Sequence, residues 1–426
     1  MKITTTAVRA AAMVGAAALV LTACASGGSG SEETSESPTG GETTTSDAAS
    51  PLKIGSLLPL TGSLAFLGPP EVAGVNLAVQ EINDAGGVLG SDVEHISADS
   101  SDADNANVAP QSWSDLQSQG VSAVVGAASS SVTKLVVDDI TNAEVVMISP
   151  ANTATSLSGY SPFYFRTAPP DTVQGSALGN LIVSDGIANL GILVFNEEYG
   201  TSLRDVVQET VEAAGVTVTY GNAGEEFDPT QGFQDPVTAI MATNPDAIAL
   251  IAFDQTKSIV PLLVAAGFTG SLYMVDGNTA DYSEDFDPGT LAAWNTQGTI
   301  PGAFPDDAFK ERLLGVDSAL ADYSYAAESY DATILVALAA VKGGATDGPT
   351  IQANLAAVSG ANGGEACTGF KECADLIADG QEIDYQAVSG AGPFNSSNDP
   401  SSAFIGIYKF NDDNTYTWVK AVEGNA

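Results

Sequence analysis

From residue 52 onward, short apolar runs alternate with amphipathic segments, a pattern that predicts a parallel sheet with helices wound on both faces. The first unit is LKIGSLL at 52–58, read as a strand, with a helix after it. Pro69 and Pro70 open that helix, Val72, Val75, Val79 and Ile82 form its apolar stripe, and Gly86-Gly87 stops it. Further strands are predicted at 121–126, 144–149, 189–195, 216–220, 246–253 and 271–275. The best-defined helix between them covers 201–214, where Leu203, Val206, Val207, Thr210, Val211 and Ala214 share a face before Gly215 ends it. After Gly298 the pattern loosens into a Pro- and Asp-rich stretch. A long apolar helix follows at about 325–341, and AFIGIYKF and TYTWVK predict a terminal hairpin that turns at 411–414.

The first 51 residues follow another pattern. Lys2 and Arg9 precede an apolar run at 10–21, which stops at Leu21-Thr22-Ala23-Cys24. This reads as a signal peptide over 1–23 ending in a lipobox, with the Cys24 thiol as the lipid-bearing group. The run falls short of the ~20 apolar residues of a membrane span. Two or more acyl chains, at ~0.8 kcal/mol per buried CH₂, would anchor the protein where one would not. Residues 24–51 are mostly Ser, Thr, Gly and Glu, with almost nothing to bury, and read as a tether.

Composition narrows the remaining choices. At 426 residues and 44% hydrophobic content, the chain suits two lobes better than one core. With 13 basic and 53 acidic residues, a net charge of −40, it excludes nucleic acid as a partner. Once Cys24 is lipidated only Cys367 and Cys373 remain, and outside the cytoplasm a disulfide between them is the expected pairing. Zinc is the competing reading, disfavoured by a single histidine and no second cysteine pair. That histidine, His95, lies in a polar, strand-like stretch (DVEHIS) and reads as a solvated side chain. No nucleophile motif, phosphate-binding glycine loop or metal-ligand spacing is present, so neither an enzyme nor a cofactor is expected.

In an open parallel sheet, ligands sit beyond the carboxyl ends of the strands. The loops there are TGSLAFLG, ASSSVT, SPANTATS, NEEYG, DQTKS and DGNTADYS. In Ser129-Ser130-Ser131, a serine either caps a helix or offers donors to an anion, and Ser149 to Thr153 is a second polar loop suited to a carboxylate. Asp276 is either ordinary turn chemistry or the partner of a ligand ammonium. Tyr199 is either part of a surface loop or a cover for an apolar ligand, and Leu67 and Phe253 either line that space or pack a core.

Together, KIGSLLPLTGSLAFLG, NDAGGVLG, VVGAASSSVT, MISPANT, FYFRTAP, EEYGTSL and YDATILVALAA resemble the type I periplasmic solute-binding proteins of branched-chain amino acid importers. The resemblance runs over about 53–420, and GEACTGFKECADL with its cysteine pair is similar to an actinobacterial variant. It implies two Rossmann-like α/β lobes joined by three crossovers, 52–168 with 302–392 and 169–301 with 393–426, that close on a ligand in the cleft. It also implies that Ser130 and Thr153 take an amino acid carboxylate, that Asn152 contributes backbone groups and that Tyr199 covers the ligand. Asp276 would then hold the ammonium. Leu67 stands where leucine-binding members often have an aromatic, Asn152 replaces a small residue, and Phe253 lies near a common tyrosine, so the side-chain end of the ligand stays open. The implied partners are ABC permease subunits and, through the lipid, the outer face of the cell membrane. The alternatives are a ligand-sensing lipoprotein that reports to a membrane receptor, or a ligand that is an amide, urea or aromatic acid.

Overall fold

The computed structural model describes residues 50–425; the signal peptide, Cys24 and nearly all of the tether lie outside the described residues. The first lobe begins β1 (Lys53–Leu58), α1 (Gly68–Asp84), β2 (Glu94–Asp99), α2 (Val108–Ser118), β3 (Ala123–Gly126), α3 (Ser130–Asn142), β4 (Val146–Ser149) and β5 (Tyr164–Arg166). These strands form an all-parallel sheet in the order β2-β1-β3-β4-β5. The second lobe follows with α4 (Asp171–Ser184), β6 (Asn189–Val194), α5 (Glu198–Ala213), β7 (Thr217–Tyr220), α6 (Gln234–Ala242), β8 (Ala247–Ile251), α7 (Thr256–Ala265), β9 (Ser271–Met274) and β10 (Gln297–Pro301). The chain then adds α8 (Asp307–Val316), α9 (Ala326–Gly343), α10 (Gly348–Val358), β11 (Glu365–Cys367), α11 (Gly369–Ala378) and β12 (Ile383–Tyr385) to the first lobe, and returns with β13 (Ser402–Phe410) and β14 (Tyr416–Asn425). The second sheet runs β14-β13-β10-β9-β8-β6-β7, parallel except where the terminal hairpin adds to β10 antiparallel.

Period-2 alternation builds the first lobe around its sheet. Ile54, Leu58, Val125, Ile148 and Phe165 point into a core shared with α1, α9, α10 and α11. Leu57, Val124, Met147 and Tyr164 point to the opposite face, against Trp113, Leu116, Val136 and Ile140 of α2 and α3. The predicted strands all form, within two residues of their expected ends except that β14 runs five residues past its own. Four further strands escaped the pattern. β5, β11 and β12 have three residues each, and β10 (QGTIP) offers a single apolar side chain besides its proline, so periodicity has nothing to register.

The solvated reading of His95 is corrected. On β2 its ring bridges Asn76 (Nδ1 to Oδ1, 2.8 Å) and Ser56 (Nε2 to Oγ, 2.9 Å), and burial lowers its pKa to about 4. Cys367 and Cys373 form the expected disulfide, Cα atoms 5.3 Å apart, buried where β11 meets α11. Among the described residues no helix is long and apolar enough to cross a membrane, and no group of His, Cys, Asp or Glu is arranged to hold a metal.

Candidate ligand-binding site

Strand order reverses between β1 and β3 in the first sheet and between β6 and β8 in the second. At such a switch point the loops leaving neighbouring strands diverge and open a crevice. The two crevices face each other. All seven residues singled out from the sequence, Leu67, Ser130, Asn152, Thr153, Tyr199, Phe253 and Asp276, line one cavity between the lobes.

The first lobe contributes its polar wall from the loops after β3 and β4. Gly126 ends β3 at φ +131°, with its Cα so near Leu57 that a Cβ would lie 2.1 Å from that carbonyl oxygen; only glycine fits. The chain then turns into α3. Ser129 is the cap, its Oγ accepting from the Val132 N–H at 3.3 Å, which leaves Ser130 on the first helical turn at the cavity. Ser130 Oγ accepts from the Ala154 N–H (3.3 Å), and its own proton remains available. Thr153 Oγ1 is buried without a hydrogen-bond partner. A buried hydroxyl in that state costs about 1–3 kcal/mol, and the buried Asp171 carboxyl beside it is the acceptor with which an incoming ligand oxygen competes. The Asn152 side chain is engaged inside the lobe. It donates to Thr133 Oγ1 (2.7 Å) and the Ala127 carbonyl (3.2 Å) and accepts from Tyr164 (2.5 Å), so only its backbone is left to face the cavity.

The second lobe supplies an acid and an aromatic wall. Asp276, 6% exposed just beyond β9, accepts from Tyr199 (2.5 Å), Tyr325 (2.6 Å) and Gln174 Nε2 (2.7 Å). Burial raises its pKa, while those three donors pull the other way. Tyr199 and Tyr325 are held well above the usual phenol range by burial and by the Asp276 charge, so both remain donors. Among the described residues Asp276 takes part in no ion pair. The Tyr199 and Phe253 rings stack at 5.6 Å, and Phe195 packs edge-on to Phe253 at 4.7 Å. The surface-loop reading of Tyr199 does not hold. Glu197 caps α5 by accepting from the Tyr199 N–H (2.8 Å), so the helix starts three residues earlier than predicted and buries the ring.

The lobes already touch. Lys134 pairs with Glu198 at 2.6 Å, Ser156 donates to the same carboxylate at 2.5 Å, and the Thr155 N–H donates to Ser202 Oγ at 2.9 Å. Leu64, Leu67, Ala128 and Ala151 of the first lobe belong to the apolar cluster of the second. This is a closed cleft, lined on one side by hydroxyls at a helix start and on the other by an acid without a cation.

A family model described as periplasmic binding protein matches residues 51–381. The chain belongs to that family. This binding protein is 27% identical over 371 residues to a chemotactic signal transduction system substrate-binding protein of Halobacterium salinarum, covering 84% of this chain and 87% of that protein. It is 34% identical over 187 residues to a leucine-, isoleucine-, valine-, threonine- and alanine-binding protein of Pseudomonas aeruginosa, 42% of this chain and 49% of that one. A branched-chain amino acid transporter substrate-binding protein of Streptococcus pneumoniae, solved with isoleucine, superimposes with a TM-score of 0.68 at 22% identity, covering 88% of this chain and all of that one. A periplasmic binding protein is a solute-binding protein that works outside the cytoplasm.

Sequence reasoning missed Tyr325 and Gln174 in this binding protein. Tyr325 reads as the first residue of an apolar helix, and Gln174 sits unremarked on α4. Each reaches Asp276 from a distant segment, 49 and 102 residues away. The one local signal was polar residues in otherwise apolar helical runs, Gln174 in TVQGSALG and Tyr325 before AAES.

Proposed function

We propose that this protein is the solute-binding component of an ABC importer, anchored by lipid on Cys24, and that its ligand is a small amino acid zwitterion with an aliphatic side chain. The carboxylate meets Ser130, Thr153 and the backbone at the start of α3; the ammonium meets Asp276. Tyr199 covers the ligand, and Leu67 and Phe253 contact its side chain. The lobes, 52–168 with 302–392 and 169–301 with 393–426, move as rigid bodies that the ligand draws together, and no bond is made or broken. One observation carries this reading: a buried acid with no cation on one wall faces an unpartnered hydroxyl and a helix start on the other.

The test is a thermal-shift screen over amino acids, amides, urea and aromatic acids. A ligand at 100 times its Kd adds about 2.7 kcal/mol of stability. The expected hit carries both charges, and stabilisation by an aromatic acid or an amide alone refutes the zwitterion. Release of the protein from membranes by Cys24→Ala in the native host checks the anchor. The similarity to a chemotactic substrate-binding protein favours a second reading, in which the closed form addresses a receptor rather than a permease. Ligand uptake in a deletion strain, measured beside taxis toward the ligand, separates the two.

A further inference from the structure

A second space lies beside the ligand cavity, a groove of about 430 Å³ that reaches the surface at Phe304. One wall comes from the first lobe, with Phe66 after β1, Lys310 on α8, Tyr323, and Glu328 on α9. The other comes from the second lobe, with Asp281 after β9, Ile300 on β10, Tyr408 on β13 and Tyr416 on β14. Glu328 is 3% exposed. Among the described residues its carboxyl forms no ion pair and takes no side-chain hydrogen bond; the one donor to it is its own backbone N–H. The chain after β10 runs against that carboxyl. Gly302, at φ +97°, comes so close that a Cβ there would lie 2.0 Å from Glu328 Oε1. The charged groups nearest Glu328 are acids as well, Glu71 from α1 and Asp331 one turn along α9, and both Glu71 oxygens are buried without a hydrogen-bond partner. Burial first, and then like charge, hold the Glu328 pKa well above the usual carboxylate range.

A buried acid of this kind is costly until a cation answers it. The groove already holds one cation at its exposed end. Lys310 forms no ion pair among the described residues; its ammonium lies 3.7 Å above the Phe304 ring and 5.5 Å from that of Tyr323. It does not reach Glu328. The geometry points to this groove as a second binding site, for a primary alkylammonium ion. The ammonium pairs with Glu328, and the alkyl chain lies against Phe66, Ile300 and Tyr408. Asp281 and Asp322 add to the attraction for a cation. Asp322 accepts from the Tyr416 hydroxyl at 2.7 Å and Asp281 from the Ser283 N–H at 2.8 Å, bonds from neutral donors that leave both charges without a cation. The site is separate from the ligand cavity, since Asp276 does not line the groove.

The experiment is calorimetric titration of n-butylammonium chloride into the full chain and its variants, with butyrate and 1-butanol as controls. The parent should bind butylammonium saturably and neither control. Glu328→Gln, which keeps the shape and removes the charge, should weaken binding at least about tenfold. Lys310→Met takes away the groove's own cation and frees the Phe304 face, so it should tighten binding about two- to fivefold. Asp276→Asn should bind butylammonium like the parent, which sets the groove apart from the ligand cavity. Absence of saturable binding to the parent overturns the site, as does one Kd shared by the parent and Glu328→Gln. A loss confined to Asp276→Asn overturns it too, because the ion then belongs to the ligand cavity. Should Glu328→Gln fail to give the parent's circular dichroism spectrum, Lys310→Met decides, and an unchanged Kd in that variant overturns the proposal.

Discussion

Replacing Asp276 by Asn tests the ammonium assignment while nearly preserving shape. The carboxylate is buried, takes three hydrogen bonds from neutral donors, and has no ion-pair partner among the described residues. An asparagine oxygen can keep the Tyr199 and Gln174 bonds, and the Tyr325 hydroxyl can turn to accept from the new amide. What disappears is the charge. A hydrogen bond involving a charged group contributes about 1.5–3 kcal/mol, so Kd for the amino acid should rise about 10- to 150-fold. The ligand-free protein should melt no lower than the parent, because a buried unpaired anion has been removed. Calorimetric titration of the amino acid and its des-amino analogue into both proteins makes a double-mutant cycle. The parent should prefer the amino acid strongly, and the variant should lose that preference. An Asp276→Asn protein that binds the amino acid as tightly as the parent, or that weakens both ligands equally, refutes the assignment.

Thr153→Val should raise Kd about 10-fold or more in a thermal-shift titration, and because the hydroxyl also lowers the pKa of the buried Asp171 carboxyl, the variant should melt further below the parent near pH 8 than near pH 4. Glu198→Ala breaks a half-exposed pair with Lys134 that spans the cleft, and stopped-flow should find ligand dissociation faster by up to about fivefold with the association rate little changed. Asp171, fully buried, has its pKa raised by burial to about 7. The folded state therefore binds a proton that the unfolded state has released between about pH 4 and 7, and stability from this group falls as pH rises through that window. Asp171→Asn should melt like the parent near pH 4 and increasingly above it towards pH 8, with a ceiling of about 4 kcal/mol; a gap independent of pH contradicts the shift.

The strand–helix alternation was legible because the central strands β1, β3, β4, β6, β8 and β9 are short, apolar and bounded by turn residues, so local pattern and final position agree. The candidate residues were legible for a topological reason: in a parallel sheet every carboxyl-end loop is on the same edge. What local sequence could not weigh was the environment that each loop meets. Asp276-Gly277-Asn278 does make the turn that its composition suggests, with Asn278 accepting from the Val275 N–H at 2.8 Å. The carboxylate points elsewhere, to partners 49–102 residues away that no window contains. Tyr199 was ambiguous because its helix start depends on Glu197, an N-cap outside the usual Ser, Thr, Asp and Asn set. His95 was misread for a similar reason: a polar strand at a sheet edge looks solvated until α1 brings Asn76 over it.

The same distribution of contacts bears on how closure is controlled. The polar links that span the cleft include a partly exposed ion pair, Lys134 with Glu198, that contributes only about 0.2–1 kcal/mol, together with hydrogen bonds from Ser129 to Glu197, from the Glu198 N–H to Ser131 and, buried, from Tyr325 to Asp276. Opposing them are a buried acid without a cation and a buried hydroxyl without a partner, both of which favour opening to water. Closure without ligand is therefore finely balanced. Moving a two-state equilibrium from 1:99 to 99:1 takes about 5.5 kcal/mol of differential affinity. One charge-assisted contact, at about 1.5–3 kcal/mol, is too little; two such contacts and a buried aliphatic side chain worth another 1.5–3 kcal/mol are enough. A molecule that brings only a carboxylate leaves Asp276 unanswered, and one that brings only an ammonium leaves Thr153 unanswered. On the proposed reading the cleft responds fully only to the combination, and a solute that matches half of it should close the lobes incompletely.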